Sequence, residues 1–220
     1  MDGENTIAPE STTTREYTER LRGRKTKRPL VYQLSQIPYK WHIRSLRLGG
    51  ALDVGCGVGR YLEFLRGHGY GVDHNVHSIE AVRRKGFAAD TPDEFLSGPR
   101  AVPGSFDSLL CSHVLEHMTA AEAEAMLRDY VRFIRPGGRV LLVTPQEAGF
   151  ASDATHVEFR DTDDLRRIAA AVGIEAVRTY SFPFPRPVGR VFKHNEFVFV
   201  GRVLPEQGEV PAAQGDAGTA

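Results

Sequence analysis

Cysteine is scarce: only Cys56 and Cys111 occur among 220 residues. Two thiols cannot build a disulfide framework or a four-thiolate zinc centre, so a reduced, cytoplasmic setting is the expectation. No apolar run approaches the ~18 residues of a membrane-spanning helix, which argues against an integral membrane protein. The opening Met1-Asp2-Gly3-Glu4 has neither the basic nor the apolar region of a secretory leader. Net charge is absent as well, with 28 Lys and Arg against 28 Asp and Glu. A globally basic nucleic-acid binder is therefore not indicated. There is no internal repeat.

What is present is ordinary for a soluble domain, at 41% hydrophobic and 25% charged. The length fits one domain of about 150 residues with extensions. Residues 1–29 and 205–220 are polar or rich in Ala, Gly and Pro, and lack the apolar surface needed to offset ordering. We expect disorder there and a single domain over 30–204. The stretch Arg20 to Arg28 carries six basic residues and no acid. It reads as a solvated lead-in, with contact to RNA or an anionic acceptor left open.

Short apolar runs at Ala51–Val54, Gly69–Val72, Phe87–Ala89, Ser108–Cys111, Val140–Thr144, Ala176–Tyr180 and Phe197–Val200 read as buried strands. Helical patterns separate them. Thr119 and Glu122 form a capping-box signature opening a helix over Ala120–Ile134. Another helix is predicted over Asp163–Val172, and a third over Tyr32–Leu46, interrupted or restarted at Pro38. Alternating strands and helices imply an open, doubly wound α/β domain with a mostly parallel, Rossmann-like sheet. Ser181–His194 has three prolines and no helical pattern. It suggests a return hairpin and one antiparallel strand near an edge.

In such sheets ligands bind at the carboxyl ends of the strands. After the first strand comes Asp53-Val54-Gly55-Cys56-Gly57-Val58-Gly59-Arg60. The glycines permit tight turning and close backbone approach, and the following helix offers free N–H groups. A dinucleotide fingerprint would need a third-spaced glycine where Arg60 stands, and the preceding Asp53 suits a cationic ligand better than a pyrophosphate. An NAD-dependent oxidoreductase is thereby disfavoured. Asp73 follows the second strand at the ~20-residue spacing at which a carboxylate meets ribose hydroxyls. Asp90 ends the third strand, either as an acceptor for an adenine amino group or as a loop acid.

Together LDVGCGVGRYL, GVDHN, AAD, FDSLLCSHVLEHM and RFIRPGGRVLLVTP resemble, in that order, the class I S-adenosylmethionine-dependent methyltransferases. The resemblance spans about residues 50–200. It implies a seven-stranded sheet with the last strand antiparallel. It also implies S-adenosylmethionine as cofactor: Gly55, Cys56, Gly57 and Gly59 beside the methionine moiety, Asp53 near its amino group, Asp73 on the ribose. Asp90 would lie at the adenine, and Ser112 and His113 at the sulfonium; His74, beside the ribose acid, departs from the family pattern and is read as a shield for the adenine face. A non-catalytic nucleotide-binding subunit with the same fold is the alternative from another class.

His113-Val114-Leu115-Glu116-His117 also matches an inverted zinc-peptidase pattern, H-x-x-E-H. That chemistry needs both histidines on one helix, whereas these five residues bridge a strand and a capped helix, so no metal is expected. Methyl transfer to a hydroxyl or ammonium benefits from a general base. His156, on the long segment Pro145–Arg160, is the first candidate, as base or substrate contact; His113 follows, at the cofactor rim. The expected acceptor is an oxygen or nitrogen of a small-molecule, sugar-linked or lipid substrate. Trp41, Tyr32 and Tyr39 either cover the site or merely bury apolar area.

Overall fold

The computed structural model describes residues 14–16, 18–19 and 29–205. Seven strands form one sheet: β1 Ala51–Val54, β2 Gly69–Val72, β3 Ala89–Asp90, β4 Phe106–Ser112, β5 Ile134–Pro145, β6 Ile174–Phe182 and β7 Glu196–Val203. Their order is β3-β2-β1-β4-β5-β7-β6. All neighbours are parallel except β7, which runs antiparallel to both β5 and β6. The antiparallel strand thus lies one position in from the edge. The order reverses between β1 and β4, the crevice where ligands bind in open α/β sheets.

The helices are α1 Pro29–Ser45, α2 Arg60–Phe64, α3 Val76–Arg84, α4 Pro92–Ser97, α5 Ala120–Val131, α6 Glu147–Phe150 and α7 Thr162–Ala171. Successive strand residues serve opposite faces. Leu109, Cys111, Val140 and Leu142 join Phe95, Leu127, Leu165 and Ile168 in one core layer. Leu110, Leu141, Val143 and Val198 join Tyr39, Ile43 and Tyr61 in the other. Each fully buried Leu or Phe stabilises the domain by about 1.5–3 kcal/mol. Both faces of the central strands are covered, which is why those strands read as continuous apolar runs.

Several boundaries differ from expectation. The helix from Ala120 ends at Val131, and Ile134 already belongs to β5. Ile134 keeps the apolar spacing, yet it pairs with Phe106 in the sheet. Helix α1 runs through Pro38 without a break; Pro38 is exposed, so the carbonyl it leaves without an N–H partner faces water. Helix α4 had no apolar period to announce it, but Thr91 and Glu94 form a capping box and Pro92 opens it. Within the expected loop after β5 lies α6, and within Ser181–His194 a short 3-10 turn, Arg186–Arg190. Trp41 is 68% exposed and covers nothing, while Tyr39 is buried with its hydroxyl donating to the His194 carbonyl at 2.6 Å.

Two residues of the N-terminal segment, Thr14 and Thr18, are in contact with the domain. Thr18 is 2% exposed, with its hydroxyl 3.2 Å from that of Ser78, and the Asn75 side-chain amide donates to the Thr14 carbonyl at 3.0 Å. Polar pairing of this kind leaves no periodicity to read. The basic stretch Arg20 to Arg28, the Tyr32 side chain and residues 206–220 lie outside the described residues. Among the described residues no helix is long and apolar enough to cross a membrane.

Candidate functional site

Two clusters meet at the carboxyl ends of the strands. The first is the glycine loop between β1 and α2. Gly55, Gly57 and Gly59 all have positive φ, at 75°, 51° and 78°. A side chain is strained in that region, so the turn requires glycine. Gly55 N–H donates to the Val72 carbonyl at 2.8 Å, tying the loop to β2. Asp73, just past β2, accepts from Gly57 N–H and Asn75 N–H, both at 2.8 Å. Its carboxylate therefore staples the loop to the start of α3, and Asn75 caps that helix through its own side chain.

Asp53 is 1% exposed and its Oδ2 atom is buried without a hydrogen-bond partner among the described residues. Burial, reinforced by the nearby Asp73, pushes its pKa up to about 8. A buried carboxyl oxygen left unsatisfied beside a backbone cradle fits a cationic ligand group such as an α-ammonium. A pyrophosphate would meet a carboxyl group there. These residues accordingly fit the methionine end of S-adenosylmethionine.

The remaining cofactor candidates are placed differently. The Cys56 side chain turns into the apolar cluster of Leu62, Ile79 and Val82, so only its backbone can face a ligand. Burial raises its thiol pKa well above the usual value. Ser112 donates to the Tyr61 hydroxyl at 2.8 Å and is buried. Asp90 accepts from the Tyr70 hydroxyl and, at 2.7 Å, from Arg83, so both its oxygens already have partners. His74 stands half-exposed, its Nδ1 3.9 Å from Asp73.

The second cluster follows β4 and β5. His113 adopts φ +58°. Its two ring nitrogens donate to Glu116 Oε1 at 3.2 Å and Glu196 Oε1 at 3.0 Å. Burial alone would lower its pKa, but the two carboxylates outweigh this and raise it to about 10. His113 is thus held as an imidazolium with no lone pair to offer as a base. Glu196, the first residue of β7, carried no motif; only its 5% exposure in the folded chain reveals it.

A 3-10 turn, Leu115–His117, separates His113 from His117, so the two do not share a helix. His117 instead meets His156, with ring centroids 4.8 Å apart. The His156 side chain is only 8% exposed and stacks on Phe150. Its Nδ1–H donates to the Phe150 carbonyl at 2.7 Å, and Nε2 lies 3.9 Å from Glu116 Oε1. Sequence reasoning singled out His156 but not its partnership with Glu116, which depends on how the loop folds back.

Residues 52–142 match the protein family described as "Methyltransferase domain". A tRNA (carboxymethyluridine(34)-5-O)-methyltransferase, ALKBH8, of Macaca fascicularis is 34% identical over 95 residues, 41% of this chain and 14% of that protein. An S-adenosyl-L-methionine-dependent Diels-Alderase, iccD, of Talaromyces variabilis is 31% identical over 134 residues, 56% of this chain and 45% of that protein. The chain thus spans less than half the length of these relatives. Among solved structures, the magnesium protoporphyrin IX methyltransferase of Synechocystis PCC 6803 with bound SAH superposes with a TM-score of 0.62 at 17% identity, over 87% of this chain and 96% of that one. That likeness concerns the fold. The glycine loop, Asp53 and Asp73 all lie within residues 52–142, the part of the chain that matches the methyltransferase domain.

Proposed function

We propose that the protein transfers a methyl group from S-adenosylmethionine to an oxygen or nitrogen of a small-molecule, sugar-linked or lipid acceptor, in the cytoplasm. The buried, unpartnered Oδ2 of Asp53 above the glycine loop carries this reading, because it provides a counter-charge where the cofactor's ammonium would sit. Gly55, Gly57 and Gly59 line the methionine end, and Asp73 accepts from the ribose hydroxyls while keeping its hold on Gly57 and Asn75. When bound, the cofactor supplies an electrophilic methyl on a positively charged sulfur. The chain's task is to hold the acceptor in line with it and to keep water out.

Glu116, His117 and His156 lie on the acceptor side. His156 donates through Nδ1, and its Nε2 faces Glu116 Oε1 at 3.9 Å. His113 acts as a fixed cation that orients Glu116, a positioning residue.

One relative is named as a methyltransferase and another as an S-adenosyl-L-methionine-dependent Diels-Alderase, so cofactor binding and methyl transfer need separate tests. Calorimetry with S-adenosylmethionine measures the first. Incubation with isotopically labelled methyl donor and a metabolite extract, followed by mass detection of labelled product, measures the second. Binding without any labelled product would favour a non-catalytic subunit. A second acceptor class, RNA, is favoured by the tRNA methyltransferase relative and by the basic stretch Arg20 to Arg28. Labelled RNA in place of labelled metabolites would select it.

A further inference from the structure

We propose that Glu116, His117 and His156 form a binding site for one divalent first-row transition ion of the zinc class. One ligand atom from each residue lies within 4.8 Å of the other two. Two metal bonds of about 2.1 Å reach across at most about 4.2 Å, so an ion needs the set to close by about an ångström. Such closure is within the reach of side-chain rotation on a backbone that already brings the three together.

Four observations support the site independently of spacing. Both imidazoles have their outer nitrogen fixed by a main-chain carbonyl: His117 Nδ1–H donates to Thr155 at 3.0 Å, and His156 Nδ1–H to Phe150 at 2.7 Å. That bond sets the tautomer and leaves Nε2 as the ligand atom, the arrangement by which protein metal sites orient histidine. Glu116 is fully buried, and its Oε2 has no hydrogen-bond partner among the described residues. An ionisable group buried with an unsatisfied oxygen needs a counterpart, and a cation is one. Two carboxylates, Glu116 and Glu196, share the one imidazole of His113.

The backbone is also built for rigidity. Val157 N–H and Glu158 N–H both donate to the Glu116 carbonyl, at 2.7 and 3.2 Å, locking the loop that carries His156 onto the turn that carries His117. Half-buried His117 and the 61% exposed Val157 leave one side at the surface, a way in for an ion.

Two imidazoles and one carboxylate favour zinc and its transition-metal neighbours over magnesium or calcium, which prefer all-oxygen shells. Three protein ligands leave coordination positions for an acceptor, as in catalytic rather than structural sites. On the methyltransferase reading, on which this role but not the metal binding rests, an acceptor hydroxyl bound there loses its proton to solvent. Its oxygen then forms the bond to the methyl carbon as the sulfur–carbon bond breaks and the thioether departs. The inverted H-x-x-E-H pattern thus yields ligands at Glu116 and His117, but His156 from a distant loop replaces His113.

The test uses the full chain stripped with chelator and titrated with Co²⁺, then with Zn²⁺ as competitor. One equivalent of Co²⁺ with visible ligand-field absorption, displaced by Zn²⁺, is expected. Glu116→Gln and His156→Ala should each weaken Co²⁺ binding by about tenfold or more. Thermal melting checks that each variant folds, and His117→Ala serves where one does not. Absence of stoichiometric Co²⁺ or Zn²⁺ in the wild type, or equal affinity in all folded variants, would overturn the site. Calorimetry with S-adenosylmethionine on the same samples separates this outcome from failure of the cofactor reading.

Discussion

Gly55 and Val114 touch across the boundary between β1 and β4: a methyl group on Gly55 would stand 2.2 Å from Val114 Cγ2. The glycine loop and the turn after β4 are therefore packed against each other, not merely near. Gly55→Ala adds that overlap to the strain of a side chain at φ +75°, and should destabilise the domain by about 2–4 kcal/mol. Chemical denaturation measures it. Val114→Ala in the same chain should recover the overlap part and leave the strain, so a double variant no better than the single would show that the contact is unimportant.

Asp73 has two tasks, and its substitution should reveal both. Asp73→Ala frees the N–H groups of Gly57 and Asn75, which each donate to it at 2.8 Å. It also removes the proposed grip on the ribose. Cofactor affinity should fall by about 1.5–3 kcal/mol, the worth of charge-assisted hydrogen bonds. Calorimetry returning an unchanged affinity would remove Asp73 from the cofactor site, whatever the melting temperature does.

The parts of this molecule that follow from local pattern were legible in the sequence. Ala51–Val54 and Gly69–Val72 are strands with the bounds read from the chain, because short runs bounded by Gly or Asp leave few alternatives. Glycines at 55, 57 and 59 announce a tight turn, which their positive φ angles bear out, and Asp73 holds that turn through Gly57 N–H. The cluster around His113 was harder to see. Glu196 lies 83 positions from His113, and their contact exists only because β7 inserts between β5 and β6. His117 reads as the second half of a sequence motif, whereas its structural companion is His156, brought over by a loop. Side-chain pairing across strands leaves no mark in periodicity, and the Thr18 contact with Ser78 was hidden for the same reason.

His113 predicts a pH-dependent stability of defined sign. Its pKa in the folded chain is raised to about 10 from an ordinary 6.5. The stabilisation is fully present below pH 6.5 and is lost as pH rises through the folded value, since the unfolded chain gives up the proton first. His113→Gln should lose about 2 kcal/mol near neutral pH; this lies below the 3–5 kcal/mol of a fully buried broken pair because solvent reaches part of the ring. The difference between wild type and variant, followed by denaturation from pH 6 to 10, should shrink toward alkaline pH. A constant difference would mean that the imidazole contributes by packing alone.

Asp53 makes the opposite kind of prediction, about binding. With its pKa pushed up to about 8, the carboxyl group is largely protonated at neutral pH in the free protein. A cationic ammonium beside Oδ2 favours the ionised form, so binding should expel a proton. Affinity for S-adenosylmethionine should then rise with pH, by up to about tenfold per unit, over the range below ~7.5 in which an α-amino group is still charged. Calorimetry in buffers of different ionisation enthalpy counts the released protons directly. Asp53→Asn removes the titrating group and should flatten the pH dependence while weakening binding by about 1.5–3 kcal/mol, the usual worth of a hydrogen bond to a charged partner. An equally steep pH dependence in that variant would place the ammonium elsewhere and leave the buried oxygen of Asp53 without its explanation.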